Sequence, residues 1–303
     1  MREDYADQVA LLVRVLPTVA KEETFALKGG TAINLFYRDM PRLSVDIDLT
    51  YLPTTPWEES LKGIDDALDR ILQGIQNDQP ALKVGRMKGG SANETRILVE
   101  NETARIKIET APPARGIIHP SKQMVVQASV EEQFGFAEMT VLSFEDLFAG
   151  KLVAALDRQH PRDLFDVKLL YENEGLSDDL FRTLLAYISF SKRPPHELLN
   201  PNRRELAEPF EKEFEGMSSE PASLSELEEC REHLLNDVRA KLDDSAKRFL
   251  LSLHDAAADF GAIGLDHVAE MPAVVWKLHN LQKLKDNNPT KHTRQRELIE
   301  ALF

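Results

Sequence analysis

Apolar and polar residues follow a helical period over residues 6–20, and Pro17 predicts where that helix ends. A short apolar run, Phe25-Ala26-Leu27, predicts a strand that enters Lys28-Gly29-Gly30-Thr31. The following stretch, Ala32 to Tyr37, reads as helix with Thr31 as its N-cap. Strict alternation in Val45-Asp46-Ile47-Asp48-Leu49 predicts a second strand. Leu61, Ile64, Leu68, Ile71, Leu72 and Ile75 then fall at helical spacing within 57–76. Further strands are expected over 82–87, 95–99, 104–109, 124–128 and 139–141. Helices return at Ser143, where Ser143 and Asp146 make a capping-box-like start, and again at Pro161. Beyond Gly175 the strand signals stop, and the helical pattern is interrupted near Pro194-Pro195, Pro201, Pro221, Gly261–Gly264 and Pro289. The segment Glu215-Gly216-Met217-Ser218-Ser219-Glu220-Pro221 has the composition of a linker. The expected class is α+β, with a mixed core over 1–175 and a helical C-terminal domain over 176–303.

Composition narrows the function classes. With 303 residues, 42% of them hydrophobic and 29% charged, the chain can build a sizeable core without covalent support. Its one cysteine, Cys230, fits a reducing compartment and excludes a structural zinc site built on thiolates. The start Met1-Arg2-Glu3-Asp4-Tyr5 lacks the apolar stretch of a signal peptide, and no apolar run approaches the ~20 residues of a membrane span. A cytoplasmic protein without a membrane role is expected. A net charge of −14 argues against a general nucleic-acid coat, but it leaves room for an enzyme with one local basic cleft.

The candidate chemistry begins with Ser44-Val45-Asp46-Ile47-Asp48-Leu49. Period two places Asp46 and Asp48 on one strand face and the apolar residues on the other. Two neighbouring carboxylates call for a compensating cation, and Mg²⁺ typically takes one or two carboxylates plus substrate phosphates. Taken alone, the same alternation also describes a solvated edge strand. Lys28-Gly29-Gly30-Thr31 shifts the balance, because a strand, two glycines and a helix start together make an anion site. Thr31 would add a hydroxyl to the same phosphate. On Arg105-Ile106-Lys107-Ile108-Glu109 the charged residues share a face. There Glu109 is either a third ligand or base, or an outward charge on a half-exposed strand. From Gly150 to Asp166, Lys151, Arg158 and Arg162 form a basic helix-turn-helix stretch, with Asp163 and Asp166 on one helix face. Either Lys151 meets triphosphate charge there, or the stretch is a surface salt-bridge network. His160 and His196 read as ordinary surface residues.

Taken in order, Leu27–Ala32, Arg42–Leu49 and Lys151…Arg162-Asp163-Leu164-Phe165-Asp166 resemble the AbiEii family of nucleotidyltransferase toxins, which includes MenT-type toxins. The resemblance covers roughly residues 20–175 by motif. It implies a DNA polymerase β-type core with an added helical domain. It also implies triphosphate binding by Gly29, Gly30 and Thr31, aided by Lys28, and Mg²⁺ or Mn²⁺ bound by Asp46 and Asp48. Lys151 would be a phosphate-contacting lysine, and Asp163 and Asp166 an acidic pair in which Asp166 is the essential member. Ser44 would occupy a position at which some family toxins can be modified by phosphorylation; the residues themselves equally suit a strand-entry serine. The implied reaction is attack of an RNA hydroxyl, at the 3′ end of transfer RNA, on the α-phosphorus of a nucleoside triphosphate, opposed by a cognate antitoxin. Arg158, Arg162, Lys192-Arg193 and Arg203-Arg204 are candidates for the RNA path. Two rivals remain: transfer to a protein side chain, and a non-catalytic partner-binding module on the same fold.

Overall fold

Seven strands form one mixed sheet in the order β3-β4-β5-β2-β1-β7-β6. In chain order they are β1 (Phe25–Lys28), β2 (Asp46–Tyr51), β3 (Lys83–Lys88), β4 (Thr95–Glu100), β5 (Arg105–Thr110), β6 (Lys122–Val125) and β7 (Glu138–Val141). The computed structural model describes residues 3–88, 95–111 and 115–303, so Met1 and Arg2 of the N-terminal stretch lie outside it. β2 runs antiparallel to β1 and parallel to β5, and β4 is antiparallel to both β3 and β5. Alternation therefore sorts each central strand into two faces. Ile47 and Leu49, Ile106 and Ile108, and Ile97 and Val99 are buried on one of them. Two long helices, α1 (Glu3–Val19) and α3 (Trp57–Asp78), pack on that side against β3, β4 and β5. Each such buried Ile or Leu contributes about 1.5–3 kcal/mol, so a one-residue slip of β2 would cost several of these at once. The register of the opposite, polar face is thereby set by the apolar one.

Between β1 and β2 the chain forms α2 (Gly29–Ala32), which continues as a π-helical turn, Ile33–Tyr37. Thr31 lies inside this helix and does not cap it, because the first helical residue is Gly29 and Lys28 stands at the N-cap. Pro17 likewise falls inside the last turn of α1. There its missing N–H deprives only one carbonyl of a partner, so the helix reaches Val19. The segment expected as strand over 124–128 splits into β6 and a further helix, α4 (Ala128–Phe134).

The chain divides into two compact units, Met1–Leu147 with Glu215–Pro221, and Phe148–Phe214 with Ala222–Phe303. The division falls within α5 (Phe144–Arg158) instead of at residue 175, since the loss of strand signals marks a change of element type and not the edge of a packed unit. Ser143 caps α5 as its sequence implies: the Asp146 N–H donates to Ser143 Oγ at 3.0 Å. The stretch with linker composition, 215–221, belongs to the first unit. Leu43 N–H donates to the Met217 carbonyl, and Ser219 N–H to that of Pro41, both at 2.9 Å. The extended backbone of 41–43 needs partners, and this returning segment supplies them.

The second unit contains α6 (Pro161–Asn173), α7 (Asp178–Phe190), α8 (Pro195–Leu199), α9 (Ala207–Glu213), α10 (Leu224–Ala240), α11 (Asp244–His254), α12 (Pro272–Asn287) and α13 (Pro289–Glu300). Ser177 and Asp243 cap α7 and α11, and Ser223 with Glu226 forms a full capping box on α10. Cys230 is buried and unpaired on α10. Among the described residues, no helix is long and apolar enough to cross a membrane.

Candidate active site

The polar face of the sheet gathers charges from four adjacent strands. In register across it stand Lys28 on β1, Asp48 on β2, Glu109 on β5 and Arg96 on β4. One step along, Asp46 stands opposite Lys107. Directly opposed residues share a face with their Cβ atoms about 4.5–5.5 Å apart, so three carboxylates cluster between cations. Arg96 Nε lies 3.1 Å from Glu109 Oε1, and Lys107 Nζ lies 3.8 Å from Glu109 and 3.9 Å from Asp46. Burial raises the Glu109 carboxyl above its ordinary range; Arg96 and Lys107 pull it down, and the negative charges of Asp48 and Asp46 push it up. Burial lowers the Lys28 ammonium, and Asp48 opposes that shift.

The double-glycine turn is fitted onto the same carboxylates. Gly29 has a φ of +74°, in the left-handed region, and a Cβ there would collide with Asp48 Oδ2. A Cβ on Gly30 would lie 2.7 Å from Ser44 Oγ and 2.8 Å from an Arg42 guanidinium nitrogen. The buried Asn34 amide donates to the Gly30 carbonyl at 2.8 Å, fixing the turn. The Thr31 hydroxyl is buried too. It donates to the Asp46 carbonyl at 2.5 Å and lies 3.1 Å from Ser44 Oγ. Thr31 thus ties the turn to β2 and has no hydroxyl proton left to present to a phosphate. The N–H groups of the first helical turn have no intrahelical acceptor, and they stand beside Ser44 and Asp48. A Gly29→Ala variant is expected to lose about 1–2 kcal/mol from backbone strain. It is also expected to lose about 100-fold in turnover, because Asp48 must move aside. Steady-state kinetics beside a melting curve separates the two effects, and wild-type turnover would dissociate the turn from the reaction.

The cation-binding capacity of this face follows from its donors. Among the described residues, no three His, Cys, Asp or Glu side chains converge enough to hold a metal unaided. The pair Asp46 and Asp48, with Glu109 beside them, instead suits a cation that completes its shell with phosphate oxygens and water, as Mg²⁺ does. Lys107 does not block it. Its contact with Asp46 is half-exposed on both sides, and such pairs contribute about 0–1 kcal/mol.

In the second unit Lys151, Asp163 and Asp166 also meet. Lys151 Nζ lies 2.8 Å from Asp163 Oδ1 and 2.9 Å from Asp166 Oδ2, with side-chain exposures of 7%, 2% and 0%. Arg158 Nε donates to Asp163 at 2.5 Å. Burial alone would raise the Asp163 carboxyl, but Lys151 and Arg158 hold it well below the usual carboxylate range. The acidic pair therefore faces Lys151 in a buried network and not in a surface salt-bridge lattice. Arg162 is not part of it: its guanidinium pairs with Glu213 at 3.0 Å. His160 has a structural role, accepting the Arg162 N–H as N-cap of α6.

Three residues near the carboxylates carry more than their sequence showed. Arg42 is buried against Gly30, a contact that its place at the start of the Arg42–Leu49 motif does not display. Arg96 and Lys107 follow strand parity, but which carboxylate each meets depends on a register the sequence does not display.

By the family its sequence matches, the chain is a nucleotidyltransferase. The chain belongs to the AbiEii family: the model described as "Nucleotidyl transferase AbiEii toxin, Type IV TA system" matches residues 10–262. Its fold is similar to that of MenT4, a nucleotidyltransferase toxin from Mycobacterium tuberculosis H37Rv. The TM-score is 0.63 and the identity 17%, over 92% of this chain and 95% of that one. No curated protein matches the chain.

Proposed function

We propose that the chain transfers a nucleoside monophosphate from a nucleoside triphosphate to an RNA hydroxyl, at the 3′ end of transfer RNA, in the cytoplasm. The observation that carries this reading is the row Lys28–Asp48–Glu109–Arg96, with Asp46 beside it and Gly29-Gly30 packed on Asp48. Asp46 and Asp48 would hold Mg²⁺ or Mn²⁺, and Glu109 stands as the third carboxylate. When bound, such a cation activates the attacking oxygen and offsets charge on the departing pyrophosphate. The chain's own groups do the rest. The backbone of Gly29 and Gly30 lets triphosphate oxygens approach the first helical turn, and Lys28 offers positive charge at its start. Thr31 and Ser44 hold the turn in place, so a modification of Ser44 would fill the space next to Gly30. A cognate antitoxin, implied by the family, would act there or elsewhere on the chain.

The test incubates the protein with Mg²⁺, total transfer RNA and each α-labelled nucleoside triphosphate in turn. Label on RNA identifies the reaction and the base preferred. Label on protein alone would replace the acceptor by a side chain. No label with any triphosphate, together with no rise in melting temperature when nucleotide and Mg²⁺ are added, would leave a binding module on this fold.

A further inference from the structure

The second unit holds a cavity of about 610 Å³ between α8, the 200–204 segment and the end of α13. That volume suits a small-molecule or nucleotide-sized ligand. Its base is rigid. Gln159, buried and with a left-handed φ of +50°, donates to the Asn202 carbonyl at 2.8 Å and accepts the Arg204 N–H at 3.0 Å. Arg231 donates to the Arg204 carbonyl at 2.7 Å, so the Arg204 backbone is held from both sides.

The charges are unevenly committed. Of the arginines suggested for an RNA path, Arg158 pairs with Asp163, Arg162 with Glu213, Arg193 with Asp157 and Glu197, and Arg203 with Glu232. Only Arg204 among them has an exposed guanidinium with no ion pair among the described residues, on a fixed backbone at the cavity. Leu298 and Leu302 add an apolar wall to the lining, and Leu298 stays 43% exposed. His196 Nδ1 is buried without a hydrogen-bond partner, and Asn200 and Asn202 add amide groups to the lining. One uncommitted cation, an apolar wall and amide groups match one phosphate, one base plane and base-edge hydrogen bonds. A free triphosphate, with about four negative charges, would find too few cations here.

We infer that this cavity is a second nucleotide site that takes one phosphate-bearing nucleotide of the RNA acceptor strand. The inference rests on the reading of RNA as acceptor and adds a site where the strand is gripped by Arg204. The test uses the full chain and a 5′-fluorescein-labelled ten-residue oligoribonucleotide of mixed sequence, followed by fluorescence anisotropy at several salt concentrations. Arg204→Glu is expected to bind at least ~10-fold more weakly than wild type. Arg204→Ala should flatten the log K against log salt slope by about 0.7, the value for one single-strand phosphate contact. Leu298→Asp should also weaken binding, through the apolar wall. Because Arg204 and Leu298 are exposed, unchanged melting curves are expected to accompany these losses. Equal affinity and slope in the Arg204 variants, or no oligoribonucleotide binding by the wild type, would overturn the inference. So would competition by free nucleoside monophosphates as effective as that by the strand, which would assign the cavity to a free nucleotide. An Asp46→Ala variant should bind the oligoribonucleotide as wild type does. If no triphosphate labels RNA while Arg204-dependent binding persists, the catalytic reading falls and this site stands.

Discussion

An Asp46→Asn variant is expected to lose nucleotidyl transfer by about three orders of magnitude, about 4 kcal/mol of transition-state stabilisation. The amide keeps the shape of the side chain and removes the charge that a divalent cation would require. Asp46 is 44% exposed, and its nearest cation, Lys107, lies 3.9 Å away, so little stability depends on that charge. The melting temperature should stay within the effect of about 0.5 kcal/mol typical of surface changes. An inactive but equally stable Asp46→Asn protein ties the reaction to this sheet face. Retained transfer would show that the two aspartates are only a polar edge, and the site would have to be sought elsewhere.

Lys151→Met should act in the opposite sense, through stability. The substitution takes the lysine's charge from Asp163 and Asp166, both almost wholly enclosed. Breaking a buried pair by removing one partner costs about 3–5 kcal/mol. At about 2–4 °C per kcal/mol for a unit of this size, the melting temperature should fall by about 6–20 °C. The pH dependence supplies the signature. In the wild type the folded Asp163 carboxyl sits below its unfolded value of about 3.9. Its contribution is therefore full above that pH and is lost as acid brings the pH down through the folded value. In Lys151→Met the Asp163 carboxyl loses the lysine that holds it down while its burial remains, so it binds protons more readily when folded than unfolded and stability should rise as the pH drops from 7 toward 5. Calorimetry across that range distinguishes the two slopes. A variant as stable as wild type but inactive would return Lys151 to the role that family resemblance suggests, contact with phosphate.

The elements around the reaction were legible because their patterns are local. Alternation around Asp46 and Asp48, and the glycines before them, needs only period and turn chemistry, and β2 forms where the alternation places it. Glu109 was ambiguous for a physical reason: parity says which residues share a face, and only strand pairing says whose face they share. The β2–β5 register, Asp48 against Glu109, puts Glu109 on the face that carries Asp48. The enclosure of Lys151 was not legible, because a lysine on one helix and an acidic pair on the next read the same whether they face solvent or each other. The 215–221 stretch was misread for the opposite reason. Glycine, serines and proline are the residues of a linker, yet its backbone hydrogen-bonds residues 41–43, and composition carries no record of so distant a partner.

That distant partnership also imposes a timetable. Ser219 and Pro41, whose backbones meet just ahead of Ser44 and Asp46, stand 178 positions apart along the chain. At a synthesis rate of about 5–20 residues per second, the ribosome needs about 10–35 s to travel from one to the other. During that interval the aspartate-bearing strand can exist without the neighbour that steadies its approach. The first unit is finished only after nearly half of the second has been made, so neither can be lifted out as a self-sufficient cassette. A toxin built this way reaches its complete form late in its own translation.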